Sequence, residues 1–539
     1  MKHHQKLTIL SLTTLLFLGI SAQAQNPKTP MMGWSSWNTF RININEQLIK
    51  ETADAMVAKG LSAAGYTYVN IDDGFFHGRD TISGRLLYHT EKFPNGMRAV
   101  ADYIHSKGLK AGIYSEGGVH TCAYQWDDDA YGKIAGMMGY EDQDTELFFN
   151  EWNYDFIKID FCGGLTLGLD EETQYRRIYQ AIQKTGKPDI RINICRWMFP
   201  GTWAREVAGS WRISGDISNR FGSVRNIFQR NLYLAAYASP GHFNDMDMMQ
   251  IGRNTFTEDQ EKSHFGLWCM MKSPLLIGCD LRTIPEHTVR IITNPEVIAL
   301  NQDKLGLQAE LVHRIDHQFV MAKHIEVDQG KVRAVALFNG DTTAQIMRIT
   351  FADIQLSDKV QVRDLWERRD LGEFFGYYET TVPAHGTAML RIEGEYAFDQ
   401  TVFEGEYAFI NEYSEVAIDQ KRYTSARFAR RQGASGNHVL TALGGHDKPD
   451  NWAEFRRVYS TTGGTYQLDL FYYSDENRAL TVTVNGKDYQ MTNLNSGGQK
   501  QRATATIDEI ELRPGYNVIR LSNAAGLAPD IDKFVVRLK

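Results

Sequence analysis

The chain has 539 residues, 42% hydrophobic and 23% charged, with only 13 prolines, which excludes a disordered or collagen-like chain. Lys and Arg total 58 against 66 Asp and Glu, a formal charge of −8. No basic surplus is left to neutralise a phosphate backbone, so nucleic acid is not an expected partner. At roughly 150 residues per domain the length allows three or four domains.

Residues 1–24 read as a signal peptide. Lys2 and Lys6 supply the positive start, an apolar run follows over 7–20, and Ala22-Gln23-Ala24 fits a small-residue cleavage site. The run is shorter than the roughly 20 residues that span a bilayer, so export to the periplasm or the medium is expected rather than membrane anchoring. Five cysteines follow: Cys122, Cys162, Cys195, Cys269 and Cys279. An exported chain permits disulfides, and an odd count leaves at least one free thiol. Neither C-x-x-C nor H-E-x-x-H occurs and no Gly-rich phosphate loop is visible, so no cofactor is expected for catalysis.

Residues 25–307 alternate short β-rich runs with amphipathic segments. The runs lie at 33–38, 66–73, 109–116, 156–162, 190–197, 211–216, 242–247 and 275–280, with helical patterns at 45–59, 97–107, 171–185 and 221–238. Eight such units predict a (β/α)8 barrel; a doubly wound sheet is the alternative and lacks its glycine fingerprint. Residues 308–393 change to period 2, with strands predicted at 319–325, 331–339, 345–351, 360–366 and 387–392, an antiparallel β-sandwich domain. Glu-Gly-Glu-Tyr-Ala-Phe then occurs twice, at 393–398 and 404–409, around a linker placed at 394–402. Residues 403–539 predict a second β-sandwich, from strands at 465–473, 479–484, 503–512, 516–522 and 533–538 and turns such as Asn485-Gly486.

In a β/α barrel the C-terminal strand ends face the active site, and side chains at i and i+2 share a direction. That parity groups Asn70 with Asp72, Tyr114 with Glu116, Lys158 with Asp160, Arg212 with Ser214 and Asp216, and Asp245 with Asp247; Asp73 follows Asp72 directly. So many carboxylates at one mouth need cations and hydrogen bonds to offset their repulsion, and Lys158 and Arg212 are placed to supply them. A carboxylate ring without histidine ligands points to acid–base work on a polyol, and glycoside hydrolysis needs two such groups flanking one bond. An ion pair or loop cap is the preferred reading for Glu116, Asp245 and Asp280.

Six ordered segments carry a family resemblance: Gly-Trp-Ser-Ser-Trp-Asn at 33–38, Ile-Asp-Asp at 71–73, Gly-Ile-Tyr-Ser at 112–115, Lys-Ile-Asp-Phe-Cys at 158–162, Trp-Arg-Ile-Ser-Gly-Asp-Ile at 211–217 and Asn-Asp-Met-Asp-Met at 244–248. Together they resemble glycoside hydrolase family 27, the α-galactosidase and α-N-acetylgalactosaminidase family, over the barrel and the β-domain. The resemblance implies an exo-acting, retaining enzyme that trims α-galactosyl residues from oligo- or polysaccharides. It makes Asp160 the nucleophile and Asp216 the general acid and then base. Lys158 is then expected to hold Asp160 ionised, and Asp216, protonated at the start, to titrate above Asp160. By the same resemblance Asp72, Asp73 and Lys158 hold sugar hydroxyls, Trp37, Tyr114 and Met248 wall the ring, and Arg212 and Asp247 hold O2 and its neighbours. Cys122 and Cys162 match a disulfide tying the loops after the third and fourth strands.

Two departures concern the sugar. Asp72-Asp73-Gly74-Phe75 stands where many relatives have Asp-Asp-Cys-Trp, removing a cysteine and shrinking an aromatic wall. Cys195-Arg196-Trp197 stands where α-galactosidases commonly have Cys-Glu-Trp. Parity turns Cys195 and Trp197 toward the pocket; an inward Arg196 would address the C2 substituent or a negatively charged neighbour. The same mechanism on α-N-acetylgalactosamine, β-L-arabinopyranose or an isomalto-oligosaccharide is the close competitor. A non-catalytic carbohydrate-binding protein and a metal-dependent barrel hydrolase are the others. Residues 403–539 resemble carbohydrate-binding modules of the family 6 and 35 type. That likeness implies a structural calcium ion at Glu404, Glu406 and Asp532, since oxygen-only ligands suit Ca²⁺. Trp452, Tyr473 and Asn523 are candidates for a sugar site there, alongside plain packing.

Overall fold

The computed structural model describes residues 28–539 apart from 188, 417–425 and 446–450. The expected leader at 1–24 lies outside the described residues, and among these no helix is long and apolar enough to cross a membrane. Eight short strands form the first domain: β1 Met32–Ser35, β2 Tyr68–Asn70, β3 Lys110–Glu116, β4 Phe156–Asp160, β5 Arg191–Ile194, β6 Ser210–Arg212, β7 Phe243–Asp245 and β8 Leu275–Ile277. Their apolar side chains are almost wholly buried, as parallel strands covered on both faces require. Neighbours run β8-β1-β2-β3-β4-β5-β6-β7, all parallel. The ring closes where Met249, just beyond β7, pairs with Ile277. This is the (β/α)8 barrel that the alternation predicts.

Helices α1 Glu46–Ala58, α2 Gly96–Ser106, α3 Glu171–Lys184 and α4 Phe221–Asn231 return the chain between strands. The Asn45 and Asp170 side chains cap α1 and α3 by accepting from the Leu48 and Thr173 amides. The helical pattern expected to 238 stops at Asn231, and a 3-10 turn at Ala235–Tyr237 follows. That turn brings the Tyr237 hydroxyl to the Ile410 amide, 3.1 Å away in the third domain. A capping box of Thr257 and Gln260 opens α5, Glu258–Met270.

The second domain has strands β9 Glu310–Ile315, β10 Gln318–His324, β11 Val332–Asn339, β12 Gln345–Thr350, β13 Leu356–Asp364, β14 Arg369–Phe375, β15 Tyr377–Val382 and β16 Thr387–Tyr396. Six form a sheet in the order β9-β10-β11-β16-β13-β14, and β12 pairs with β15. Every residue of β11 is buried. Val335 and Leu337 belong to the sandwich core, while Ala334, Ala336 and Phe338 belong to the core shared with the barrel. One alternating strand therefore serves two cores. Lys323 of β10 is buried there too, and its Nζ donates to the Cys269, Met270 and Leu300 carbonyls at 2.9–3.2 Å. Burial, then the neighbouring Lys272, push this amine well below the ordinary lysine value, and the three carbonyls satisfy it as a donor.

β16 runs on to Tyr396 and the next strand opens at Val402, so the connector is shorter than the expected 394–402. The third domain is a sandwich of two antiparallel sheets. One orders Arg427–Arg430, His438–Thr441, Asp530–Leu538, Gly464–Ser474 and Gly498–Leu512, with Val402–Glu404 beside Asp530–Leu538. The other orders Phe409–Ile410, Trp452–Ser460, Gly515–Ser522, Arg478–Val484 and Lys487–Leu494. The turn at Asn485-Gly486 has positive φ at both residues, 50° and 91°, as a tight hairpin needs. The repeated hexapeptide takes two conformations. Its first copy starts in β16, whereas the second passes from a strand ending at Glu404 into a 3-10 turn, Gly405–Tyr407.

Candidate active site

Eleven of the residues picked from the strand ends line one cavity of about 500 Å³: Trp37, Asp72, Asp73, Tyr114, Lys158, Asp160, Trp197, Arg212, Asp216, Asp247 and Met248. Cys195 does not line it. Its thiol is buried beneath, 3.6 Å from Arg212 Nη1. Arg196 turns away, and its Nε donates to Glu171 Oε1 at 2.6 Å, at the start of α3. It does not line the cavity, so it addresses neither a C2 substituent nor a negatively charged neighbouring sugar. Phe75 is fully buried against Phe76 and Trp152, in the core and not in the cavity wall.

Lys158 organises the strand-four side. Its Nζ lies 3.0 Å from Asp72 Oδ2 and 3.8 Å from Asp160 Oδ2. Asp160 Oδ1 has no protein partner, although it is buried. A buried carboxylate oxygen left unpaired is costly unless a ligand uses it. Asp73 accepts from the Gly74 amide at 2.8 Å and from the Ala123 amide at 2.9 Å. Burial pushes its carboxyl up to about 7.

Arg212 organises the opposite side. Its Nη2 lies 3.0 Å from Asp216 Oδ1 and 2.8 Å from Asp247 Oδ2, while its buried Nε is unpaired. Asp247 also accepts from the Ile217 and Met248 amides, and burial pushes its carboxyl up to about 6. Asp216 stands at the rim with its side chain 63% exposed.

The protonation order of the pair reverses the expected one. Burial pushes Asp160 up, and the neighbouring Lys158 recovers only part of that. Burial also acts on Asp216, but Arg212 first, then Lys158 and Arg41, outweigh it and hold that carboxyl below the ordinary value. Desolvation thus dominates at the deep acid and cations dominate at the rim.

The acids read as structural stand apart. Glu116 accepts from the Gly118, Cys162 and Gly164 amides, Asp245 from Asn193, and Asp280 pairs with Arg282. Cys122 and Cys162 form a disulfide across the β3 and β4 loops. Among the described residues the only trio of ligand atoms within 4.8 Å of one another is Glu116, Cys122 and Cys162, and two of those are joined as that disulfide. Arg41, Trp126, Asp127, Leu165 and Thr166 also line the cavity and were not picked out. Strand-end parity says nothing about them, since they lie on loops and short helices beyond the strands.

A closed β/α barrel with two such carboxylates in one polar cavity has the architecture of a glycoside hydrolase. Residues 29–303 match the family model described as Alpha galactosidase A, and residues 320–392 match that of the Alpha galactosidase C-terminal beta sandwich domain. Alpha-galactosidase 2 of Arabidopsis thaliana is 41% identical over 343 residues, covering 63% of this chain and 83% of that one. Alpha-galactosidase A of Cellvibrio japonicus (strain Ueda107) is 38% identical over 416 residues, covering 72% and 98%. The crystal structure of α-galactosidase I from Mortierella vinacea superposes with a TM-score of 0.62 at 32% identity, covering 68% of this chain and 98% of that one. The chain belongs to the α-galactosidase family, glycoside hydrolase family 27.

Proposed function

We propose that this enzyme hydrolyses terminal α-D-galactosyl residues of oligo- or polysaccharides with retention, through a covalent galactosyl ester on Asp160. Asp160 carries the reading: it lines the same cavity as Asp216, and its Oδ2 lies 3.8 Å from the Lys158 ammonium. In the first step an Asp160 oxygen bonds to the anomeric carbon, the glycosidic C–O bond breaks, and the Asp216 proton passes to the leaving oxygen. In the second step Asp216 takes a proton from water, whose oxygen displaces Asp160. Lys158 and Arg212 offset the charge of the surrounding carboxylates, and Asp72, Asp73 and Asp247 accept from sugar hydroxyls.

The test is hydrolysis of an aryl α-D-galactopyranoside by residues 25–539. Asp160→Asn lowers kcat by roughly 10³-fold or more. Asp216→Asn costs roughly 10²–10⁴-fold on alkyl galactosides, whose leaving groups need the acid, and less on activated aryl ones. Full activity of Asp160→Asn would overturn the nucleophile assignment. Activity confined to the α-N-acetylgalactosaminide or the β-L-arabinopyranoside would overturn the sugar.

Two further readings belong to the same proposal. The leader at 1–24 directs export to the periplasm or the medium, which amino-terminal sequencing of secreted protein tests. The third domain is a carbohydrate-binding-type module, and a structural calcium ion at Glu404, Glu406 and Asp532 would draw together carboxylates that do not all lie within 4.8 Å of one another. Glu406 supports this: it is buried, its Oε2 is unpaired, and burial, then Glu404 and Asp532, push its carboxyl up to about 9. The Ser435 hydroxyl lies 2.6 Å from Glu404 Oε2, and the Ser435 amide donates to Asp532 Oδ1 at 2.8 Å. Oxygen ligands of this kind suit Ca²⁺. Calcium raises the melting temperature of the parent and leaves Glu406→Gln unmoved. Trp452 lies under Arg520, and Tyr473 and Asn523 are buried packing and turn residues.

A further inference from the structure

We infer that Trp126, with the Arg41–Asp127 pair beside it, forms a second subsite at the cavity mouth that takes a neutral sugar ring attached to the galactosyl group. The inference rests on the galactosidase reading and extends it to the leaving side.

Volume gives the first argument. A hexose has twelve heavy atoms and fills roughly 180 Å³, at about half of a water's ~30 Å³ share per atom. The cavity of about 500 Å³ therefore keeps more than half its space after one ring is seated.

Exposure gives the second. Trp126 lines that cavity and is 71% exposed. An indole this open presents a flat apolar face that a sugar ring can cover. Leu165, 40% exposed, lines the same cavity.

The platform is also built to stay in place. Trp126 ends the short helix Cys122–Trp126, whose first residue is disulfide-bonded to Cys162 in the loop after the nucleophile. The Ala123 amide of that helix donates to Asp73, at 2.9 Å. Beyond Trp126, Arg41 grips both oxygens of Asp127, at 2.5 and 2.6 Å, and its guanidinium lies 4.5 Å over the Trp37 ring. One chain of contacts thus joins the galactose-holding acid to the exposed indole.

Position and charge decide the occupant. Trp126 and Arg41 line the same cavity as Asp216, and the exposure of Trp126 places it at the mouth. The ring that carries the leaving oxygen must approach through that mouth. Asp127 neutralises Arg41, and the exposed Asp128 follows it. An anionic ring meets net negative charge there, whereas a neutral pyranose does not.

The experiment compares the parent, Trp126→Ala and Trp126→Phe on two substrates. α-D-Galactosyl fluoride has no second ring, and α-D-galactosyl-(1→6)-D-glucose has one. The readout is the ratio of kcat/KM for the disaccharide to kcat/KM for the fluoride. It falls roughly five- to tenfold in Trp126→Ala, mainly through KM, and recovers in Trp126→Phe, which restores an aromatic face. A ratio unchanged in both variants overturns the inference even where the parent is fully active. A parent inactive on both substrates overturns the galactosidase reading itself. Equal turnover of a galactosyl disaccharide with a uronic acid as second ring overturns the neutral-ring assignment.

Discussion

In the proposed mechanism Asp160 and Asp216 start in opposite protonation states, and their surroundings pull each the other way. Asp160 has to be ionised, yet burial raises it; Asp216 has to carry a proton, yet Arg212, Lys158 and Arg41 lower it. The limbs of the pH profile therefore belong to the pair jointly. Arg41→Gln removes one cation that lowers Asp216. The alkaline limb of kcat/KM for methyl α-D-galactopyranoside, where Asp216 loses its proton, should then move to higher pH. A limb that stays or moves down contradicts this account. Gly74 is bound by backbone rather than chemistry. Its φ is +103°, and a Cβ there would sit 2.6 Å from Ile42 Cα. A side chain of any kind cannot occupy this backbone without displacing Ile42. Gly74→Ala should cost about 1–3 kcal/mol, read from urea unfolding.

At the scale of elements, the loop after β5 depends on the third domain. Trp197 lines the cavity with a left-handed φ of 63°. Two residues on, the Phe199 carbonyl accepts from the Glu415 amide at 3.1 Å, the Phe199 amide donates to Glu415 Oε2 at 3.2 Å, and its ring stacks on Tyr413 at 5.5 Å. Ser414 Oγ donates to the Pro200 carbonyl at 2.6 Å. Tyr413→Ala should raise KM for galactosides severalfold with a smaller change in kcat, because the wall loosens while the carboxylate pair stays put. An unaltered KM would show that the barrel holds Trp197 without help. None of this docking is legible in the residues, since Tyr413 and Phe199 are distant in sequence. The eight barrel strands were legible because each joins an apolar run to a polar end. The strands at Arg369–Phe375 and Tyr377–Val382 were not, being largely exposed and short of apolar alternation. The duplicated hexapeptide shows the same limit. Gly394 sits in a ladder opposite Val360, whereas Gly405 packs where a Cβ would lie 2.6 Å from the Ile531 carbonyl. Identical residues follow their neighbours and not their own propensities. The pocket acids were legible from strand parity, but the protonation order was not, because it depends on depth.

Across the whole molecule, stability should fall between pH 6.5 and 8 in the presence of a chelator. Glu406 is raised in the folded chain, so the fold binds its proton more tightly than the unfolded chain does. The stability it contributes is present at low pH and is lost as pH climbs toward about 9. Asp73, raised to about 7, acts in the same sense over the lower part of that window. Buried His264, lowered to about 3, acts below it. One raised carboxyl can cost about 2 kcal/mol over such an interval. Glu406→Gln should flatten the profile, measured by thermal unfolding with chelator, and a profile unchanged in that variant would assign the slope elsewhere. The strand Val332–Asn339, buried on both faces, has a consequence for synthesis. The barrel's last strand ends at Ile277, so at 5–20 residues per second the surface that will meet Ala334, Ala336 and Phe338 waits on the order of seconds for its partner to leave the ribosome. For that interval the nascent barrel presents an open apolar flank, and chaperone demand during translation should concentrate there rather than on the finished enzyme.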